Sequence, residues 1–474
     1  MLTISKPLSA GQAQTYHQKE FTAKEQNYWS QRGVIAGEWQ GRLAGQFGLA
    51  GMVSAEDFAK LSQGQHPQSG EQLVRQRASY EYQDANGKTI KTMEHRAGWD
   101  ATFSAPKSVS LTALVGGDER VRAAHQESVR VALDQIEHYT QARIGGNHPP
   151  ETTGRFIAAK FEHDTARPVD GYVAPQLHTL AVVFNVTERD SGQPRAIQPQ
   201  SLFASQQFAT AIYQSELTYR LRQLGYEITV GRSGAPEIKG YTQEYLDASS
   251  PRSQQIRKYL ERTGRSGKEA AEIAAHSTRD RKEIHSPPEV MAAHRKLAAD
   301  FGHQAETVVR AARERSQHQE SQHREKLVNS FDRVRESLTF SRDKNFEREA
   351  VVDERALIRD GLRRGMGEIT LAQVRAHLDA RLASGEFQIV ERPLSTTVPG
   401  RQFTTAKTIE AEREIVRQMR EGQNDVEPVL SRPQAIAVAD RHPHLNRAQK
   451  NVVEDVLSSP DRIQGILSQL LSRS

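Results

Sequence analysis

The run Pro175-Gln176-Leu177-His178-Thr179-Leu180-Ala181-Val182-Val183-Phe184-Asn185 is dense in apolar and β-branched residues, and its length fits a single strand. A second apolar strand is expected over Arg155 to His163, and the Pro- and Gly-containing loop between the two suits a central antiparallel pair. Ser79 to Gln83 and Lys88 to Ile90 flank Asn86-Gly87, a hairpin signal because both turn residues tolerate positive φ. Helical spacing appears from Asp118 to Tyr139, where Val121, Val129, Ala132, Leu133 and Ile136 share a stripe and Asp118 is a plausible cap. A further helix is expected from Ser201 to Leu224, closed by Gly225. Ala101 to Leu114 mixes Thr, Phe, Val and Leu around Ser104-Ala105-Pro106-Lys107 and suits a strand or loop more than a long helix.

This order predicts an α+β fold whose largely antiparallel sheet belongs to a domain ending near residue 290. Residues 291–350 then turn to Arg, Glu, His, Gln and Lys with sparse apolar positions, as in Arg313 to Glu320. A solvated helical linker is the first reading and a nucleic-acid-binding stripe the second, since acidic and basic residues alternate. Between 351 and 430 a compact unit returns: amphipathic helices Glu354 to Arg364 and Leu371 to Leu382, then strands over Glu386 to Val390 and Gln402 to Thr405. A small winged-helix-like module in a mainly helical C-terminal region is expected there. Residues 431–474 are expected to hold one more helix, Arg447 to Leu457.

A charged fraction of 26% marks a polar chain, and no apolar run approaches the roughly 20 residues of a membrane span, so no membrane insertion is expected. Met1 to Lys6 lacks a signal-peptide layout, which points to the cytoplasm. With no cysteine, a disulfide framework and a thiolate metal site are both excluded. Any transition metal would need histidine, carboxylate or water. The net charge of +5 suits nucleic acid and an ordinary cytosolic enzyme alike.

Side chains at i and i+2 of a strand share a face, so His178 and position 180 would address the same ion, with His163 brought close by antiparallel pairing. Position 180 is leucine. Two histidines on neighbouring strands are more often hydrogen-bonded core residues than ligands. Tyr16 and Tyr28 lie in a polar, helix-compatible stretch from Gly11 to Ser30. A tyrosine can serve as a nucleophile on phosphorus, though aromatics half-buried against a sheet are the commoner case. On one continuous helix the two would stand about a third of a turn out of line. Asp100 could orient a ligand histidine, accept a phenolic proton, or cap a turn.

Taken in order, Ser9-Ala10-Gly11 with Tyr16, Gly37-Glu38-Trp39-Gln40-Gly41, Asp100 to Ser110, Phe161 to Arg167 and Pro175 to Asn185 resemble the conjugative relaxases of the TrwC/TraI (MobF) type. Tyr213 to Leu217 and Leu221 to Glu227 continue the likeness, which covers residues 1–290. The resemblance implies site- and strand-specific nicking of plasmid transfer-origin DNA, an endonuclease step of plasmid mobilisation that passes through a tyrosine–DNA covalent intermediate. By position, Tyr16 would be the primary nucleophile, Tyr28 a second one, His163 and His178 metal ligands, and Asp100 their acidic neighbour. The implied cofactor is a divalent metal ion, Mg or Mn. The implied partners are single-stranded and hairpin origin DNA, with conjugation accessory and type IV secretion coupling proteins.

Two departures stand out. Tyr16-His17 and Tyr28-Trp29 replace the family's tyrosine doublets, and His178-Thr179-Leu180 replaces His-Thr-His, so impaired nicking, or origin binding without nicking, is the alternative. Val351 to Gly365, Phe403 to Glu421 and Leu445 to Gln449 resemble the opening of that family's helicase half, cut short before its P-loop. Gly264-Arg265-Ser266-Gly267-Lys268-Glu269 has the wrong glycine spacing and a glutamate in place of the magnesium-binding hydroxyl, so no ATP site is expected.

Overall fold

A computed structural model of the chain describes residues 1–13, 37–76, 81–83, 89–91, 95–146, 148–231, 234–278, 286–319, 323–391 and 399–465. The apolar runs become a six-stranded antiparallel sheet built from β1 (Leu2–Ile4), β2 (Leu8–Ser9), β3 (Gly37–Gln40), β4 (Arg96–Ser104), β5 (Ala158–Thr165) and β6 (Pro175–Phe184). Its order is β1-β4-β6-β5-β3, with β2 also on β4, so the two longest apolar strands lie side by side near the centre. Both faces are covered. Trp99, Ala101, Phe103, Leu177, Ala181 and Val183 enter one core, while Ala97, Ala159, Phe161, Val182 and Phe184 enter another. Burial on both sides explains why β6 ends in four consecutive buried apolar residues, Ala181 to Phe184, instead of alternating.

The first core is roofed by α1 (Glu119–Glu137) and α2 (Pro199–Gln223). The Asp118 carboxylate accepts from the Arg120 amide at the start of α1, and Val121, Ala124, Val129, Ala132, Leu133 and Ile136 face the sheet as the spacing requires. Helix α2 is buried around most of its circumference between Phe208 and Thr218, Ser215 and Thr218 included, the position of an element enclosed by protein. It stops before Gly225, whose φ of 88° suits glycine and whose absent side chain leaves room for the Ala312 carbonyl, 2.2 Å from where a Cβ would stand. On the other face, the helix Ala55–Ser62 wedges Phe58 edge-on against Phe184, with ring centroids 5.1 Å apart. The hairpin expected around Asn86-Gly87 pairs Glu81–Gln83 with Thr89–Lys91, while the turn itself lies outside the described residues.

The stretch Ala101 to Leu114 departs from expectation. Strand β4 ends at Ser104, and from Lys107 the chain is helical, first a turn to Ser110 and then a π-helical turn, Leu111–Val115. Tertiary burial of Val109, Leu111 and Leu114 overrides the weak helix propensity of its β-branched residues. Ser110 and Thr112 also tie their hydroxyls back to the carbonyls of Pro106 and Ser108, at 3.1 and 2.8 Å.

Three helices follow in the charged region: α3 (Pro287–Asp300), α4 (Gln304–Gln319) and α5 (His323–Phe346). Four of their sparse apolar positions, Val308, Ala312, Val334 and Leu338, join the first core, while Phe331 and Phe340 on α5 stay exposed. Beyond them, α6 (Glu354–Arg364) and α7 (Leu371–Ala383) combine with β7 (Val352–Asp353), β8 (Phe387–Ile389) and β9 (Gln402–Thr405) into a winged-helix-like module with strand order β7-β9-β8. The module sits directly on α2: Gly367 lies where a Cβ would meet Thr218 at 2.2 Å, and Arg355 donates to the Ser205 hydroxyl at 3.1 Å. The C-terminal part carries α8 (Ala406–Glu421), α9 (Arg432–Asp440) and α10 (Arg447–Ser458). Helix α9 was not expected. Its start is a capping box between Ser431 and Gln434, with Pro433 in the first turn, where proline is tolerated.

Candidate functional site

Cross-strand pairing sets the site out as three rungs on one face of the sheet. The first is Ser104, His178 and His163, the second Thr102, Leu180 and Phe161, and the third Asp100, Val182 and Ala159. His163 and His178 are therefore exact neighbours across β5 and β6, with rings stacked at 19° and centroids 5.1 Å apart. The antiparallel pairing expected from the sequence brings these two together, and the structure pairs them in that way.

The pair is chemically prepared for a cation. Burial lowers both imidazoles, His163 to about 3, and the nearby Lys107 adds to the lowering of His178. They are neutral at pH 7, the form in which imidazole ligates a metal. His178 Nδ1 lies 3.0 Å from the Gln176 carbonyl oxygen, which can only accept. Nδ1 therefore carries the proton and Nε2 keeps its lone pair.

Leu180, one rung away and half-buried, adds no donor, and among the described residues no three His, Asp or Glu side chains converge on one point. Two imidazoles are what these residues offer, with the remaining coordination positions left to water or substrate oxygens. Asp100 shares the face but stands two rungs off, roughly 13 Å along the strand at about 3.3 Å per residue, so it does not touch either histidine. Its carboxyl faces Val182 and receives one long hydrogen bond from Thr102, 3.4 Å, and burial pushes it up to about 7. Such a group is poised to take or give a proton near neutrality. Tyr16 and Tyr28 lie outside the described residues.

Two groups escaped the sequence reading. Lys107, in the helical turn after β4, is half-buried and donates to the Pro175 carbonyl at 2.6 Å; desolvation lowers its ammonium to about 7, partly offset by Glu237. His125, on α1, approaches β6 from the opposite face, bridging Thr179 Oγ1 at 2.9 Å and the Tyr213 hydroxyl at 2.8 Å. The signal for His125 was available, since it falls on the buried stripe of α1 between Ala124 and Ser128, where a polar residue must find partners.

Comparison with known proteins is specific. A model of the TrwC relaxase family matches residues 10–301. Two multifunctional conjugation proteins named TraI, from Escherichia coli and from its strain K12, are 37% and 35% identical over 306 residues, 61% of this chain. The match spans only 16% of the length of either TraI. Among solved structures, conjugative relaxase TrwC in complex with oriT DNA aligns with a TM-score of 0.54 in its metal-free form and 0.55 in its copper-bound form, each at 31% identity, covering 64% of this chain and 99% of the TrwC chain. TrwC bound to a 27-mer DNA comprising the recognition hairpin and the cleavage site gives 0.53 at 30% identity.

Proposed function

Because this chain belongs to the TrwC relaxase family, we propose that it nicks plasmid transfer-origin DNA at one site on one strand through a tyrosine–DNA covalent intermediate. The observation that carries the reading is the pair of facing, neutral imidazoles, His163 and His178, on the same sheet face as a desolvated carboxyl, Asp100. In the proposed reaction the Tyr16 phenolic oxygen attacks the scissile phosphorus and the P–O3′ bond breaks. The DNA is left with a 3′-hydroxyl, protonated from solvent, and a 5′ phosphate esterified to Tyr16. The phenolic proton goes to the Asp100 carboxylate, and Tyr28 is the nucleophile for a second transfer. His163 and His178 would hold the divalent ion, Mg or Mn, whose contribution is Lewis-acid polarisation of the scissile phosphate. Strand transfer is assigned to residues 1–290.

The proposed DNA partner is a hairpin and the single strand leading from it, held by phosphate contacts and base stacking. The TrwC complexes with oriT DNA support this assignment. Conjugation accessory and coupling proteins in the cytoplasm complete the proposed setting, and no helix among the described residues is long and apolar enough to cross a membrane.

A second reading rests on Leu180. An isobutyl group at the rung beside the histidine pair supplies no lone pair, and the chain would then bind origin DNA while nicking it weakly or not at all. One experiment separates the two. An oligonucleotide carrying the cognate origin is incubated with the protein and Mn²⁺, and the covalent adduct is read on a denaturing gel. An adduct lost in Tyr16→Phe supports nicking. Tight binding with no adduct, and an adduct that appears only in Leu180→His, supports the binding reading.

A further inference from the structure

The residue before the histidine pair is where the sheet breaks register. Pro175 faces Thr165 while His178 faces His163, so β6 carries one residue more than β5 across this interval, a bulge. Among the described residues, Gln176 and Leu177 have no register partner on either neighbouring strand. Buried backbone groups must nevertheless be satisfied. The turn after β4 supplies the partners. The Leu177 amide donates to Ser110 Oγ at 3.0 Å, the Ala105 amide donates to the Leu177 carbonyl at 3.0 Å, and Lys107 Nζ donates to the Pro175 carbonyl at 2.6 Å. The Gln176 side chain closes the set by donating to the Ala105 carbonyl at 2.9 Å. The Gln176 carbonyl, on the same bulge, takes the proton of His178 Nδ1 at 3.0 Å.

We propose that Lys107 and Ser110 are positioning residues for His178. By clamping the bulge at Gln176 and Leu177, they aim the Gln176 carbonyl at Nδ1 and so hold the imidazole in the tautomer that turns the Nε2 lone pair toward a cation. The inference rests on the metal-assisted reading above, but its geometry belongs to the protein alone. A bulge beside a ligand bends the strand locally and re-aims a side chain, and an oriented carbonyl fixes which nitrogen is basic. Neither Lys107 nor Ser110 touches the ion or the DNA in this scheme.

The test uses the full chain, labelled with ¹⁵N-histidine and free of metal. Long-range proton–nitrogen correlation gives the tautomer of each imidazole, and His178 is assigned by its loss in His178→Ala. The wild-type protein should show His178 protonated at Nδ1, whereas Lys107→Met and Ser110→Ala should each show a mixture of tautomers. Both variants should also bind Mn²⁺ about tenfold more weakly, the scale of effect seen when an outer partner of a ligand histidine is removed. Unfolding midpoints are measured alongside, so that only folded variants are compared. A wild-type tautomer retained in both folded variants overturns the proposal. If the wild-type protein binds no Mn²⁺ at all, the metal reading falls, while the tautomer result still decides the clamp.

Discussion

At the scale of single residues, the histidines divide by the face they occupy. His163 and His178 point to one side of β5 and β6, and His125 grips Thr179 from the other, between His178 and Leu180 in sequence. Burial holds His125 down to about 3, helped by positive neighbours that include Arg122. A folded-state value below the unfolded value of about 6.5 means that the neutral ring's contribution is complete above pH 6.5 and is lost as the pH falls toward 3. Urea unfolding of wild type and His125→Gln should therefore converge on acidification, with the wild type losing about 2 kcal/mol relative to the variant between pH 7 and pH 5. At pH 7 a His125→Ala change should cost about 1–3 kcal/mol, since the buried hydroxyls of Tyr213 and Thr179 each lose a partner. Parallel pH profiles for wild type and His125→Gln would rule this account out. The sequence made the pairing of His163 with His178 legible because two apolar strands joined by one short loop pair antiparallel. It left His125 unread because its partners, 54 and 88 residues away, are visible only after folding.

At the scale of elements, caps and periodicity were readable where they were strong. Helix α1 begins after Asp118, α2 ends before Gly225, and α6 spans Glu354–Arg364 as its amphipathic pattern dictates. The turn after β4 differs from expectation because Thr and Val favour strands in isolation, while its hydroxyls and the core beneath select a helix. Element contacts make a sharp claim about the join between α2 and the winged-helix-like module. Gly367, at φ 70°, lies where any Cβ would overlap Thr218, so Gly367→Ala faces both backbone strain and a clash. We expect a loss of about 1–3 kcal/mol and faster proteolytic cleavage between α5 and α6. Unchanged thermal unfolding and unchanged proteolysis in that variant would show that the contact does not hold the module in place.

For the whole molecule, one core runs from the sheet through α2 into the C-terminal module: Phe208, Tyr213 and Leu217 share it with Leu338, Leu357, Leu378 and Phe403. A fragment ending at residue 301, where the family match stops, would strip from α2 the part of that core between Val308 and Phe403. Its thermal midpoint should fall well below that of a fragment ending at residue 405, and it should bind a hydrophobic dye that the longer fragment does not. Equal midpoints would mean that the shared core contributes nothing to the sheet domain. The sequence by itself determined the long central strands, the helices α1, α2 and α6, the shared face of positions 178 and 180, and the leucine at 180, because periods and caps act over a few residues. Only the tertiary structure decided where β6 bulges, which turn satisfies that bulge, and how the module closes over α2. Those outcomes depend on burying groups far apart in the chain against one another, and no local pattern carries that information.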